Sequence, residues 1–356
     1  MRTAAILVTA LALLAATANT PLHAQSAEGE PYSAAEVAPL DAAGCPDGWY
    51  ARGEAFLLQR DRAPRTAISA DVDFTGAATV LLTTDNLHFG YEPGTRLTLG
   101  RQFGCNRIEL SYFGLHDFSA SAQVTSADAP SGTLQSAWAG FASPATIDPF
   151  DGADLHRITY GSRLHSAEIN LRHQAEPASC LASTWLVGVR YLKVSEDFAF
   201  FSSVNDWMGN GPAYGTYAVT TNNDLLGGQL GTELVWSCTP RLSLGATAKG
   251  ALLGSAAKKV AVFETVMPPP AAPYFRTEAG ASGHTLASIV ETGLFTEVQL
   301  TPRISARAGY DVILVSGLAL APQQLNFSDD PGAAGAIHLN GKSVYHGPSF
   351  GLNVVW

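Results

Sequence analysis

The last segment of the chain has a large apolar residue on every second position and ends in an aromatic one. Phe350, Leu352 and Val354 alternate with Ser349, Gly351 and Asn353, and Trp356 is the last residue of the same apolar parity. This alternation gives a strand one apolar and one polar face, as in a transmembrane β-barrel with lipid outside and a polar interior. The pattern recurs in about nine segments upstream. The sequence therefore predicts an all-β fold, a single transmembrane antiparallel up-and-down β-barrel.

The N-terminus predicts export. Arg2 is followed by a short apolar run, Ala4 to Ala16, and by a small-residue cleavage site at Leu22-His23-Ala24. This is the layout of a secretory signal peptide. The predicted organisation is a signal peptide at residues 1–24, a periplasmic segment at 25–47 and an outer-membrane barrel at 48–356. The chain is 46% hydrophobic and only 15% charged. After the predicted signal peptide, however, no stretch of consecutive apolar residues is long enough for a transmembrane helix.

The alternating segments set the strand count. We expect about ten strands, within a range of eight to fourteen, with short periplasmic turns and long extracellular loops. A further hairpin is predicted from Ser69 to Phe74 and from Thr79 to Thr83. The predicted membrane strands are residues 49–58, 95–103, 106–118, 158–173, 183–194, 224–237, 241–252, 284–300, 304–315 and 343–356.

Aromatic residues of lipid-facing parity gather at the periplasmic strand ends. Amphipathic rings favour the headgroup level, so we expect these residues to form an interfacial girdle. The alternative is that the tryptophans simply pack in a core. The predicted girdle comprises Trp49, Phe103, Trp185, Trp236 and Trp356.

Charged residues occupy the opposite parity. Each would cost about 2–4 kcal/mol if it faced lipid at mid-depth, so we expect them in the lumen. Because the two signs balance, a salt-bridged filling is favoured over a wide ion-selective pore. The predicted lumen charges are Arg52, Glu54, Arg96, Arg107, Glu109, Glu168, Arg172, Arg190, Glu233, Lys249, Glu291, Glu297, Arg307 and Asp311.

Composition and motifs exclude several functions. A net charge of −10 argues against nucleic acid as a partner. Acidic residues in the presumed loops form a solvated surface or, alternatively, bridge divalent cations to anionic lipid headgroups. No GxSxG, HExxH or P-loop motif occurs, and the adjacent His116-Asp117 pair of a strand would point to opposite faces. We therefore expect no enzyme activity, no cofactor and no metal site.

Four cysteines in an exported chain predict disulfides. Cys45 precedes the first strand, and Cys105, Cys180 and Cys238 fall in the first three tight turns. Three connectivities are possible. Sheet order favours Cys45–Cys105 and Cys180–Cys238.

Seven short segments of the chain have a familiar sequence and order: Gly94–Gly100, Ile108–Gly114, Val187–Leu192, Asn223–Gly231, Ala308–Asp311, Gly317–Pro322 and His346-Gly347. Together they resemble a bacterial family of outer-membrane barrels called beta-barrel porin seven. The likeness extends from about Trp49 to Trp356. It implies an outer-membrane barrel, and it brings no established substrate or catalytic residue.

Two functions remain as expectations. The narrow, charge-balanced lumen favours a structural or surface-interaction role, whereas the family name favours a porin-like channel for small polar solutes. The expected partners are outer-membrane lipids, the barrel-assembly machinery acting on the C-terminal strand, and an unidentified surface ligand. The expected location is the outer membrane.

Overall fold

The computed structural model describes residues 47–72, 78–126, 132–136, 149–175, 180–269, 274–326 and 337–356. The predicted signal peptide, Cys45 and all of the predicted periplasmic segment except Asp47 lie outside these ranges. The described chain is built almost entirely of antiparallel strands.

Ten strands close into a barrel, as the alternation predicts. Each strand pairs antiparallel with its neighbours, and β1 pairs with both β4 and β13 to close the ring. The barrel strands are β1 Gly48–Arg60, β4 Tyr91–Phe103, β5 Asn106–Thr125, β7 Leu155–Gln174, β8 Leu181–Val204, β9 Ala213–Ser237, β10 Leu242–Val266, β11 Tyr274–Thr301, β12 Ile304–Leu318 and β13 Gly341–Val355.

A small second sheet accompanies the barrel. Its strands are β2 Ala67–Val72, β3 Ala78–Thr83 and β6 Leu134–Ser136, in the order β3-β2-β6. The described parts of the predicted hairpin strands lie in β2 and β3, while Phe74 lies outside the described residues. The short turns, such as Gly104-Cys105, lie at one end of the barrel, which we call the turn end. The opposite end, where the second sheet lies, we call the loop end.

The chain termini of the barrel meet at the turn end. The backbone amide of Trp49 donates to the carbonyl of Trp356, and that of Trp356 donates to Trp49, both at 2.9 Å. Arg52 is paired with Asn353 in the same ladder. Closure leaves no strand edge exposed within the ring at this level.

Several strands are much longer at the loop end than the sequence predicts. Residues 195–204 and 213–223, expected in one loop, continue β8 and β9, and most of 253–283 belongs to β10 and β11. Apolar and polar residues still alternate there, but the apolar residues face inward and the polar residues face outward. Phe198 and Phe200 point inward and are buried, whereas polar Asn222 faces outward. The apolar outer pattern therefore predicts strand ends that lie short of the observed ones.

In the middle of the barrel, outward-facing side chains are exposed and their inward-facing chain neighbours are buried. Leu110 and Val189 are 56% and 54% exposed, while their chain neighbours Glu109 and Arg190 are 5% and 1% exposed. The exposed apolar side chains form a belt around the outside, which matches a lipid-facing wall. Within the residues described, no helix combines the length and apolarity needed to cross a bilayer.

Arginine substitutions at two depths of the outer wall test whether the belt faces lipid. Leu110→Arg and Val189→Arg each place a charge against lipid and should lower the free energy of unfolding by about 2–4 kcal/mol. Asn222→Arg, on the outer face nearer the loop end, is the matched control and should cost less than about 1 kcal/mol. Urea unfolding in lipid vesicles measures all three. Equal costs for the three variants would contradict the belt.

Candidate functional site

The predicted lumen charges all occupy inward-facing positions, and most join one ion-pair network. At its centre, Glu291 contacts Arg96 Nη2 through Oε1 at 2.5 Å and Arg190 Nη1 through Oε2 at 3.0 Å. Arg190 and Lys249 also reach Glu168, at 3.3 and 3.4 Å. Each carboxylate here therefore faces at least two cations.

The network continues toward the turn end through a second set of pairs. Arg307 lies 3.7 Å from Glu54 and 3.6 Å from Glu233. Arg172 lies 3.5 Å from Glu233 and 2.6 Å from Glu109. Because Glu54 is also 3.8 Å from Arg96, the two sets are connected. The whole network therefore links groups on opposite walls of the barrel.

Polar neighbours form hydrogen bonds with three of the lumen charges. The Tyr50 hydroxyl donates to Glu109 Oε1 at 2.5 Å. Arg107 Nη2 donates to Gln174 at 2.6 Å, and the Ser349 hydroxyl donates to Asp311 at 2.6 Å.

Two predicted lumen charges lie nearer the turn end. The Ser305 hydroxyl donates to Glu297. Arg52 interacts electrostatically with Glu233, Glu54 and Glu297.

Water is largely excluded from this network. The side chains of Arg190, Glu291 and Glu168 are 1%, 2% and 3% exposed. An open aqueous channel would leave the charges on its wall accessible. The pairs connect β4 with β11 and β9 with β12 across the lumen, so the side chains that line the barrel also fill it.

An apolar layer covers the network on the loop-end side. Phe56 and Phe113 meet edge to face at 5.3 Å, and the guanidinium of Arg96 lies 4.8 Å from the Phe56 ring centre. Leu115 and Leu192 are fully buried in the same layer. The Arg96 side chain thus joins the charged and apolar layers.

A second buried ion pair, absent from the predictions, lies in the apolar layer. Arg60 Nη2 contacts Glu196 at 2.6 Å and donates to the Tyr160 hydroxyl at 2.8 Å. Sequence reasoning placed Arg60 and Glu196 in loops. Continuing the even-numbered parity of Glu54 beyond the end of the predicted first strand would have turned Arg60 inward.

Four chain segments fold into the loop-end mouth, and we call them the mouth cap: residues 61–72, 78–90, 149–154 and 318–325. Phe89 packs on Tyr160 with ring centres 5.1 Å apart, and Phe150 packs on Phe200 at 4.9 Å. The backbone amide of Ala321 donates to Glu196 Oε2 at 2.8 Å. The mouth is therefore filled by apolar side chains and backbone.

Hydrogen bonds tie the mouth cap to the strands. The amide of Ala319 donates to Asn223 Oδ1 at 2.7 Å, and Ser69 bonds His156 Nδ1 at 2.7 Å. In the turn after β1, burial raises the pKa of the Asp61 carboxyl, although the Val344 amide donates to it at 2.9 Å. The cap is bonded to several strands rather than resting on the surface.

The residues of the predicted girdle are all exposed near the turn end. The guanidinium of Arg101 lies 5.2 Å from the Trp49 ring centre and 4.7 Å from that of Phe103. Trp185, Trp236 and Trp356 also face outward. This arrangement is the one expected of rings at a headgroup level.

A tyrosine row, which sequence reasoning missed, lies toward the loop end of the belt. Tyr112 bonds His165 Nδ1 at 2.8 Å, and Tyr310 bonds His346 Nδ1 at 2.7 Å. Tyr191 donates to Asp224 at 2.6 Å. In each case the partner lies on the next strand, two residues beyond the residue that pairs with the tyrosine. These three tyrosine contacts share one geometry, and they mark the loop-end limit of the belt.

The predicted Cys180–Cys238 disulfide is wrong for this structure, in which both thiols are free and exposed. Trp236 engages each of them separately. Its indole nitrogen donates to Cys180 Sγ at 3.1 Å, and its carbonyl lies 3.7 Å from Cys238 Sγ. The Cys45–Cys105 pairing involves a residue outside the described ranges and stays a prediction.

The expected opposite orientation of His116 and Asp117 is also wrong. A register irregularity between Leu115 and Phe118 turns both side chains outward. Such bulges re-aim side chains. The His116 ring lies 5.0 Å from that of His165.

Chemistry-bearing clusters are sparse in the described part of the chain. Ser69 and His156 form a hydrogen-bonded pair, but both are fully buried, with no access for a substrate. Among the described residues no group of His, Cys, Asp and Glu is arranged to hold a metal ion.

A sequence profile described as "Putative beta barrel porin-7" matches residues 155–334, slightly more than half of the 356 residues. The chain belongs to this family. The resemblance noted from short segments is thereby confirmed, and the family and fold imply an outer-membrane location. Among curated proteins, none matches the sequence.

Solved barrels give only distant likenesses. The outer membrane protease OmpT of Escherichia coli has a TM-score of 0.42 and 8% identity, over 88% of this chain and 98% of its own. The toluene transporter TodX of P. putida has a TM-score of 0.30 and 11% identity, over 87% and 90%. A FadL homologue of Pseudomonas aeruginosa has 0.26 and 12%, over 87% and 90%. All three scores are too low to carry an argument about activity.

Removing one charge tests the network. Arg190→Ala leaves Glu291 and Glu168 short of a cation in a buried site and should lower the free energy of unfolding by about 3–5 kcal/mol. Arg163→Ala removes an exposed arginine that is 3.7 Å from Asp197 and should cost at most about 1 kcal/mol. Unfolding in detergent micelles measures both. Similar losses would mean that burial of the network does not matter.

Proposed function

We propose that this protein is a closed outer-membrane barrel with a structural or surface-interaction role, and that it has no enzymatic activity. The observation that carries the proposal is the ion-pair network across the lumen, in which Arg190 is 1% exposed. The apolar layer and the mouth cap support it independently. Three successive layers obstruct the same path.

Energetics favour a permanently filled interior. Opening a path would separate Glu291 from Arg96 and Arg190, and removing a partner from a buried ion pair costs about 3–5 kcal/mol. It would also displace Phe56 and Leu115 from the apolar layer. The residues that would line a pore are the ones that hold the walls together.

The loop end supplies surface for interaction. The β8–β9 hairpin extends beyond the tyrosine row, and Met208 at its tip is 78% exposed. Tyr214 is exposed on β9 of the same hairpin, and Tyr274 is exposed at the start of β11. Exposed aromatic residues at this end of the barrel are suited to contact with another molecule.

A porin-like channel for small polar solutes is the second candidate, and the family description favours it. This function requires the mouth cap to leave the barrel and the network to part. The two candidates therefore differ in one measurable property, the conductance of the protein at rest.

Planar-bilayer recording tests the proposal. The purified protein should add no reproducible conductance steps, while a general porin reconstituted in the same bilayers serves as the positive control. Insertion is checked by recovering folded protein from the vesicles used for fusion. Uniform steps that scale with the amount of protein would establish the channel instead.

We also propose that the assembly machinery recognises the C-terminal strand. Trp356 is exposed, and its backbone closes the barrel against Trp49. Trp356→Asp should reduce the heat-modifiable protein in outer-membrane fractions, because the terminal aromatic side chain is lost. Trp236→Asp, in the same girdle but in an internal strand, is the matched control. Equal reductions would indicate a general girdle effect and not a terminal signal.

A further inference from the structure

We infer that four outward-facing side chains, His116, Arg163, His165 and Lys193, bind the phosphate groups of lipids in the membrane leaflet at the loop end. We call them the basic patch. The inference concerns the outer wall and is independent of whether the lumen conducts.

The patch lies at the depth where lipid headgroups are expected. Tyr112, in the tyrosine row, bonds His165 directly. Exposed Leu110 and Ile169 continue the apolar belt toward the turn end on the same strands. Since tyrosine rings favour the interface between hydrocarbon and water, the groups just beyond Tyr112 are at headgroup level.

Three neighbouring strands bring the patch together. The bulge in β5 turns His116 outward, so that its ring lies 5.0 Å from that of His165 in β7. Lys193 in β8 is the direct register partner of His165. Arg163 lies on the same face of β7, two residues toward the loop end.

Three carboxylates border the patch, and two of them already accept hydrogen bonds from hydroxyl groups. Asp224 accepts from Tyr191, and Asp197 accepts from the Thr220 hydroxyl at 2.9 Å while lying 3.7 Å from Arg163. Asp117 is exposed beside His116. Within the described residues, Lys193 forms no ion pair, although Asp224 is its register partner in β9.

The patch therefore complements a ligand rich in anionic oxygen. When Tyr112 donates to Nδ1 of His165, the proton of the neutral imidazole is on Nε2 and a further donor becomes available. Lys193 and Arg163 supply permanent positive charge. A phosphate on a lipid satisfies both requirements, because its oxygens meet these donors while its acyl chains lie on Leu110 and Ile169.

Binding of lipid A tests the assignment. Native mass spectrometry of the full barrel in detergent would measure retention of diphosphoryl lipid A by wild type and by Arg163→Gln/Lys193→Gln. Affinity should fall about thirtyfold in the double variant, on the scale of the contribution of each cation near an anionic membrane surface. Lys258→Gln, an exposed cation on β10 outside the patch, should change it less than about twofold. Heat-modifiable migration confirms that each variant is folded.

Two further probes separate lipid from free anion. Lipid A stripped of both phosphates should bind wild type as weakly as diphosphoryl lipid A binds the double variant, and inorganic phosphate should not displace the bound lipid. Equal binding of the stripped lipid, equal loss in Lys258→Gln, or displacement by stoichiometric inorganic phosphate would each overturn the assignment.

Discussion

Charge pairing inside a narrow barrel is the constraint on which the rest of the structure depends. A buried carboxylate such as Glu291 is tolerable only when cations surround it, and here Arg96 and Arg190 do so from different strands. A slip of one residue in any of these strands would turn its charge toward lipid and an apolar side chain into the network. The network therefore fixes the register as well as filling the lumen.

The barrel changes its character along its length. Between the aromatic girdle and the tyrosine row it is apolar outside and charged inside, because its outer face is a lipid-facing wall. Beyond Tyr191 the same strands are polar outside and carry Phe198 and Phe200 inside, as in a soluble protein. The Arg60–Glu196 pair lies in this second region, where the mouth cap shields it from water. Both regions share a closed interior for different physical reasons.

Sequence alternation was sufficient to predict the barrel, its ten strands and the inward parity of residues such as Glu109 and Arg190. The predictions were wrong where outward-facing residues are no longer apolar. The strand extensions past residue 194 carry the inverse pattern, so Glu196 was placed in a loop. The bulge at His116-Asp117 and the separate contacts of Trp236 with Cys180 and Cys238 depend on three-dimensional neighbours that no local pattern encodes. The ion-pair partners of the lumen charges are likewise far apart in the sequence, so no local pattern predicts them.

Thiol accessibility tests whether the lumen is closed to water. Ser166 accepts a bond from Arg190 Nε at 3.0 Å inside the network, whereas Ser195 lies on the outer face beyond the tyrosine row. Each would be replaced by cysteine and exposed, in membranes, to a small charged methanethiosulfonate, with the modified site identified by mass spectrometry. We expect rapid modification of Ser195→Cys and none of Ser166→Cys. Modification of Ser166→Cys at a comparable rate in the folded barrel would contradict it.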